Sequence, residues 1–110
     1  MNFEDLISGL RTRPEMYLPD DRFNTLVAFL DGYNMATDGQ FLNEFSRSLQ
    51  KRVFGYVTNY HWQAIIAAIV LGAEPNERWR DSVDGEFDAR ASAELLAQLE
   101  RFLDLKDDQK

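Results

Sequence analysis

Cysteine is absent from this chain of 110 residues, and histidine occurs once, as His61. The lack of cysteine excludes disulfides, thiol catalysis and any zinc or iron–sulfur site that needs thiolate ligands. A single imidazole excludes sites that need two in one copy. Phosphate-binding glycine motifs are also missing, so nothing in the sequence supports nucleotide binding. We therefore predict that the protein holds no metal and no cofactor.

Basic residues are scarce relative to acidic ones, with 12 Lys and Arg against 19 Asp and Glu, and the formal net charge is −7. This excess argues against nucleic acid or an anionic membrane as the partner, because both are polyanions. The most apolar run, residues 64–71, is about half as long as a bilayer requires. The first five residues include two acidic residues and no basic one, unlike the start of a signal peptide. We therefore expect a cytoplasmic protein.

Apolar residues recur at helical spacing in most of the chain, which predicts a series of amphipathic helices. Asn2 is placed to cap the first helix. Arg13-Pro14 is expected to end that helix, because the residue before a proline is pushed out of the α region. Asp20 and Asp21 are candidate caps for the second helix.

The second half of the chain carries four further signals. Residues 54–58 have strand-like composition but no second strand to pair with, so we interpret them as a connection. Residues 62–71 are apolar on most sides and predict the most buried, central helix. A short helix over residues 75–83, ended by Gly85, and a last helix around residues 95–103 are also expected.

Together these elements predict an all-α fold, a compact bundle of five or six helices. A chain of this length fits one domain and leaves no room for two independent cores. We expect the domain to span residues 1–105 and residues 106–110 to form a frayed, charged tail.

Charge is distributed unevenly along the chain. Residues 1–39 hold 3 basic and 7 acidic side chains (−4), residues 40–72 hold 3 and 1 (+2), and residues 73–110 hold 6 and 11 (−5). Four carboxylates of the last third follow one another with no lysine or arginine between them: Asp81, Asp84, Glu86 and Asp88. They are either a solvated helix end and loop or a patch that attracts a basic partner by long-range steering.

Most aromatic residues fall on the helical stripes and are predicted to belong to the core. Three fit a stripe less well: Tyr56, Tyr60 and Trp79. Tyrosine and tryptophan are favoured where an apolar face meets a polar partner. These three are therefore candidate partner-binding residues, with covering of the core's edges as the alternative.

His61 is the one candidate for acid–base catalysis. It directly precedes Trp62 at the start of the apolar helix, where a lone histidine is also typical of capping or packing. No serine or threonine stands in a nucleophile-elbow context. A small enzyme that uses His61 with nearby carboxylates stays an alternative, and we predict a protein without enzymatic activity.

The most distinctive sequence is Arg-Pro-Glu-Met-Tyr-Leu at residues 13–18, followed by Phe-Leu-Asp-Gly-Tyr at residues 29–33. This combination resembles a group of small, acidic bacterial immunity proteins of polymorphic toxin and contact-dependent growth inhibition systems. The likeness covers residues 3–35, with a looser echo around residues 95–102. It implies a protein that binds and neutralises a cognate toxin, and it assigns no toxin-binding residue.

Residues 13–18 also have a structural explanation. Pro14 fixes a turn, Met16 and Tyr17 pack over the junction of the first two helices, and Arg13 pairs with an acid.

Two non-enzymatic functions thus remain open. The first is an immunity protein that binds its toxin one to one; the expected toxin is a basic nuclease, because an acidic surface mimics the charge of nucleic acid. The second is a helical interaction or regulatory module without a toxin partner, including a homodimer.

Overall fold

A computed structural model describes residues 2–37, 39–58, 60–72 and 84–108. These residues form five α-helices and no strand: α1 (Phe3–Thr12), α2 (Phe23–Thr37), α3 (Phe41–Phe54), α4 (Trp62–Leu71) and α5 (Gly85–Asp108). A short 3-10 helix, Pro14–Met16, lies between α1 and α2. The predicted all-α bundle is confirmed, and the radius of gyration of 13.6 Å is that of one compact domain of this length.

The ends of α1 follow the local sequence signals. The Asp5 backbone N–H donates to the Asn2 side-chain oxygen at 2.8 Å, which satisfies one of the free amides of the first turn. The Arg13 N–H donates to the Gly9 carbonyl at 2.7 Å, and Pro14 then begins the 3-10 helix. Both predicted ends are therefore confirmed.

α4 is the most buried helix, as its composition predicts, with seven of its ten residues buried. It ends at Gly72, whose φ of 65° is the left-handed conformation that glycine adopts without strain. The central position, however, belongs to α5, which packs against α1, α2, α3 and α4. The reason is length: α5 has 24 residues against ten in α4, so its apolar stripe can serve several neighbours in turn.

The start of α5 differs from the expectation. Gly85 does not end a helix but begins α5, because the Asp84 carboxylate accepts the Phe87 N–H at 2.7 Å and caps the new helix. The helix expected over residues 75–83 lies outside the described residues. Residues 106–110, expected to fray, include the end of α5, where the Lys106 ammonium lies 2.9 Å from the Glu44 carboxylate.

Candidate functional site

The N-terminal ends of α2 and α5 meet at one end of the bundle. The Asp88 carboxylate accepts the backbone N–H of Phe23, the first residue of α2, at 2.9 Å. The rings of Phe23 and Phe87 pack edge to face beneath this bond, with centroids 5.9 Å apart. Asp88 therefore caps α2 from a position 65 residues away and fixes the two helix ends together.

The segment before α2 adds two carboxylates to this end. Hydrogen bonds from the Thr25 side chain and the Arg22 backbone N–H lower the pKa of Asp20. Asp20 thus organises the approach to α2, but Asp88, and not the predicted Asp20 or Asp21, binds the first N–H of the helix. Asp21 is exposed.

A cleft of about 510 Å³ opens beside these carboxylates, between α1, the α1–α2 connection and α5. Its apolar lining includes the side chains of Leu10, Leu18, Leu26 and Leu96. Its charged lining comprises Arg11, Glu15, Asp20, Asp21 and Arg22. Glu86 precedes two lining residues of α5, Ala89 and Ala93, by three and seven positions, so it lies on the same helix face and extends the rim.

We call this feature the acidic cleft: the cavity just described together with Glu86. Its carboxylates outnumber its guanidinium groups. The Arg11 Nε donates to the Glu100 carboxylate at 2.7 Å, so one of the two arginines is already paired. Asp21 and Glu86 are exposed and have no hydrogen bond or ion pair within the described ranges, which leaves their charge available to a partner.

The four carboxylates singled out in the sequence thus fall into different roles. Asp84 and Asp88 cap helices, and Glu86 is exposed at the cleft. Asp81 and Trp79 lie outside the described residues. The sequence alone did not reveal that Asp20 and Asp21 lie at the same end of the bundle as Asp84, Glu86 and Asp88. The burial of Phe23 against Phe87 brings the segment before α2 and the start of α5 together.

The two predicted tyrosines lie elsewhere, on the connection between α3 and α4. Gly55 ends α3 with a φ of 82° and donates its N–H to the Lys51 carbonyl at 2.8 Å. Tyr56 and Tyr60 are then 65% and 45% exposed, and their role in binding a partner stays a prediction. The predicted absence of a strand here is confirmed within the described part of the connection.

A buried glutamine holds this connection in place. The Gln50 side chain is 4% exposed, and its oxygen accepts hydrogen bonds from both the backbone N–H and the hydroxyl of Thr58. The Thr58 hydroxyl in turn accepts the Tyr60 N–H at 3.2 Å. These hydrogen bonds tie Thr58 and Tyr60 to α3.

Together with their apolar neighbours, the tyrosines form what we call the tyrosine patch: Val53, Phe54, Tyr56, Val57 and Tyr60. The Phe54 ring lies 6.2 Å from the Tyr56 ring and 6.5 Å from the Tyr60 ring, between centroids. The two valines are 42% and 53% exposed. The three neighbouring rings form the contiguous part of this exposed apolar surface, which is typical of interaction sites.

The tyrosine patch and the acidic cleft are separate surfaces. The Arg52 guanidinium, beside Val53 in α3, donates to the Gln98 side-chain oxygen at 2.7 Å. Gln98 follows the α5 cap Asp84 by fourteen residues, which corresponds to about 20 Å along a helix axis. The structure therefore does not bring Tyr56 and Tyr60 together with the acidic residues.

His61 caps α4. Its Nδ1 accepts the Gln63 N–H at 3.0 Å, and the ring is exposed beside that of Trp62. The capping role that its position favours is thus confirmed. The nearby Asp31 of α2 is half-buried, and desolvation raises its pKa, with an opposing contribution from His61.

The segment 13–18 is partly as expected. Pro14 begins a 3-10 turn, and Tyr17 packs so closely on α1 that a Cβ on Gly9 would lie 2.6 Å from its hydroxyl oxygen. Met16, however, is 67% exposed and does not pack over the junction, because the 3-10 turn directs it outward. Arg13 makes no ion pair with any residue that the structure describes.

Three comparisons frame the functional question. The chain matches no protein-family model, and no curated protein or solved structure is significantly similar to it. Among the described residues, no group of three or more histidine and carboxylate side chains is arranged to hold a metal ion. None of the helices within those ranges has the length and apolarity to cross a bilayer.

Proposed function

We propose that this protein is an immunity protein that binds a bacterial toxin one to one in the cytoplasm and neutralises it without catalysis. The surface it recognises is basic, such as the substrate cleft of a nuclease. The resemblance of residues 13–18 and 29–33 to immunity proteins supports this assignment, as does the excess of acidic residues.

The observation that carries the proposal is the acidic cleft. Its leucine side chains offer apolar surface, and unpaired carboxylates at Asp21 and Glu86 stand at its edge. Lysine and arginine side chains match this combination, because their aliphatic stems cover apolar surface while their charged ends stay at the rim. A basic substrate-binding surface presents several such side chains close together.

The cleft is also built from rigid parts. Asp88 and the Phe23–Phe87 contact fix α2 against α5, so little ordering is required when a partner binds. Negative charge at the edge raises the rate of encounter with a basic partner and has less influence on dissociation. A fast-associating inhibitor is what a cell needs when a toxin arrives.

The test begins with the gene directly upstream of this protein's gene and uses the toxin domain that the proposal expects there. Titration calorimetry should give a one-to-one complex, and the complex should lack the toxin's activity. The double variant Asp21→Lys/Glu86→Lys should associate more slowly, by about tenfold or more at low salt, with a weaker dependence on salt. Stopped-flow fluorescence measures both.

A matched control is Glu4→Lys/Asp104→Lys, which changes the net charge equally at exposed positions that line a neighbouring recess and not the cleft itself. Its association rate should fall much less. Equal effects of the two double variants would assign the steering to net charge and remove the cleft from the proposal. A toxin domain that is neither bound nor inhibited would refute the proposed function itself, and a stable self-associated form would then favour the regulatory alternative.

A further inference from the structure

The tyrosine patch lies in the longest stretch of the chain that lacks acidic residues. Residues 45–73 contain Arg47, Lys51 and Arg52 and no aspartate or glutamate. Arg47 and Glu44 both line the recess that contains Val57 of the patch, and the Glu44 carboxylate is already paired with the Lys106 ammonium at 2.9 Å. Arg47 and Lys51 are exposed, so the cationic groups beside the patch outnumber the carboxylates, although the whole protein is strongly negative.

Arg52 beside the patch has no negatively charged partner in the described part of the chain. Its Nη1 donates to the neutral Gln98 side chain, whereas its Nε and Nη2 are buried without a hydrogen-bond acceptor. Its burial, together with the nearby positive charge of Arg101, lowers its pKa. A partly buried charge without a counter-ion is unfavourable, so an added carboxylate at the neighbouring surface would be stabilising.

Apolar exposure is concentrated at the same place. Tyr56, Val57, Tyr60 and Val53 are all more than 40% exposed and follow closely along the chain. Gln50 fixes the connection that carries them, which keeps the entropic cost of binding small. Tyrosine is the residue type that most often combines apolar contact with a hydrogen bond at protein interfaces.

We propose that the tyrosine patch is a second docking surface, and that it binds an acidic segment of a partner protein carrying an aromatic or aliphatic anchor. The anchor packs between Tyr56 and Tyr60, and the flanking carboxylates face Arg47 and Lys51. This partner is opposite in charge to the one that fits the acidic cleft.

Charge also decides against a second copy of this chain seated symmetrically on the patch. In a twofold contact the same patch lies on both sides, so the basic residues of both copies would be brought into one interface. A single-stranded nucleic acid would suit stacked aromatics and basic residues. The protein's net charge of −7, however, repels a nucleic acid, which is a polyanion, more strongly than it repels a short peptide with a few carboxylates.

The test is selection from a random library of twelve-residue peptides displayed on phage, with the intact protein as bait. Recovered peptides that compete with one another should contain an aromatic or aliphatic residue flanked by Asp or Glu. Their synthetic forms should bind Tyr56→Ser/Tyr60→Ser at least about tenfold more weakly than the unmodified protein. Both tyrosines are exposed, so this variant should keep its helical circular dichroism.

Met16→Ser/Met35→Ser is the matched control, because it also removes two exposed apolar side chains without changing the net charge, at positions outside the patch, and it should bind the acidic peptides as well as the unmodified protein does. Lys51→Gln should weaken the binding of the acidic peptides. The proposal is overturned if the selected peptides are basic, if they bind the tyrosine variant equally, if none is recovered, or if an oligothymidylate binds the patch when acidic peptides do not. None of these outcomes depends on the toxin, so this surface and the proposed function can fail separately.

Discussion

Beside both the acidic cleft and the tyrosine patch, a side chain of one helix accepts a backbone N–H of another segment, but the two surfaces differ in charge. The Asp88 carboxylate accepts the Phe23 N–H beside the cleft, and the Gln50 side-chain oxygen accepts the Thr58 N–H below the patch. At the cleft the acceptor is charged and faces a helix N-terminus, where negative charge is favoured. At the patch the acceptor is a neutral amide in a basic stretch.

This difference shows how little the net charge says about an individual surface. Several of the acidic residues at this end of the bundle accept backbone N–H groups, so fewer charges are free than the sequence suggests. The patch, in contrast, keeps nearly all of its apolar side chains exposed and its cationic Arg52 without a carboxylate. A strongly acidic protein can thus offer two surfaces that select partners of opposite charge.

The largest effect is expected from Gln50→Leu. Leucine fills the space but leaves the Thr58 N–H and hydroxyl without their acceptor in a part-buried position. The free energy of unfolding, measured by urea denaturation, should fall by about 2–3 kcal/mol. Hydrogen exchange should accelerate in residues 55–60, while α5 near the acidic cleft keeps its protection.

Ser46→Ala is the control for this variant, because it removes only the hydrogen bond from the Gln50 amide to the Ser46 hydroxyl. It should cost less than about 1 kcal/mol. If Gln50→Leu were as mild as Ser46→Ala, the connection would not depend on Gln50, and the tyrosines would be mobile rather than held for binding.

A smaller loss of stability is expected from Asp88→Ala, at the end of the bundle where α2 and α5 begin. Removal of the cap leaves the Phe23 N–H without its partner and takes a negative charge from the start of α2. Urea denaturation should show a loss of about 1–2 kcal/mol. The neighbouring Glu86→Ala should change the stability by about 0.5 kcal/mol or less, because Glu86 is exposed. Similar losses in both variants would mean that Asp88 is not the cap of α2.

Local signals allowed most of the fold to be predicted. The cap at Asn2, the stop at Arg13-Pro14 and the end of α4 at Gly72 each depend on residues within one helical turn. The apolar composition of residues 62–71 correctly indicated the most buried helix. Such features need no knowledge of what packs against them.

What could not be predicted involves residues far apart in the chain. The cap of α2 comes from α5, so no window around Phe23 contains it. Gly85 looked like a stop because the role of Asp84 as a cap becomes clear only once α5 is known to begin there. The cleft itself needs three segments side by side, and the orientation of Met16 depends on a 3-10 turn that the motif alone does not specify.

Asp20, which precedes α2, and Asp31, within α2, give the smallest expected effect on stability and the sharpest contrast between two carboxylates. Hydrogen bonds lower the pKa of Asp20 below 3.8, so its carboxylate stabilises the fold above that pH, and this contribution is lost as the pH falls through the lowered value. Burial raises the pKa of Asp31 above 3.8, although His61 opposes the shift, so its charged form costs stability at neutral pH.

Asp20→Asn should therefore lower the urea midpoint at neutral pH, and Asp31→Asn should leave it unchanged or raise it slightly, by less than the Asp88 effect. Both differences from the unmodified protein should shrink as the pH falls, because protonation removes the charge that each variant lacks. For Asp31 the difference disappears as the pH falls through its raised pKa towards 3.8, and for Asp20 only below 3.8. A drop in midpoint of similar size for both variants at neutral pH would show that the surroundings of Asp31 stabilise its charged form, and the expected contrast between the two aspartates would be wrong.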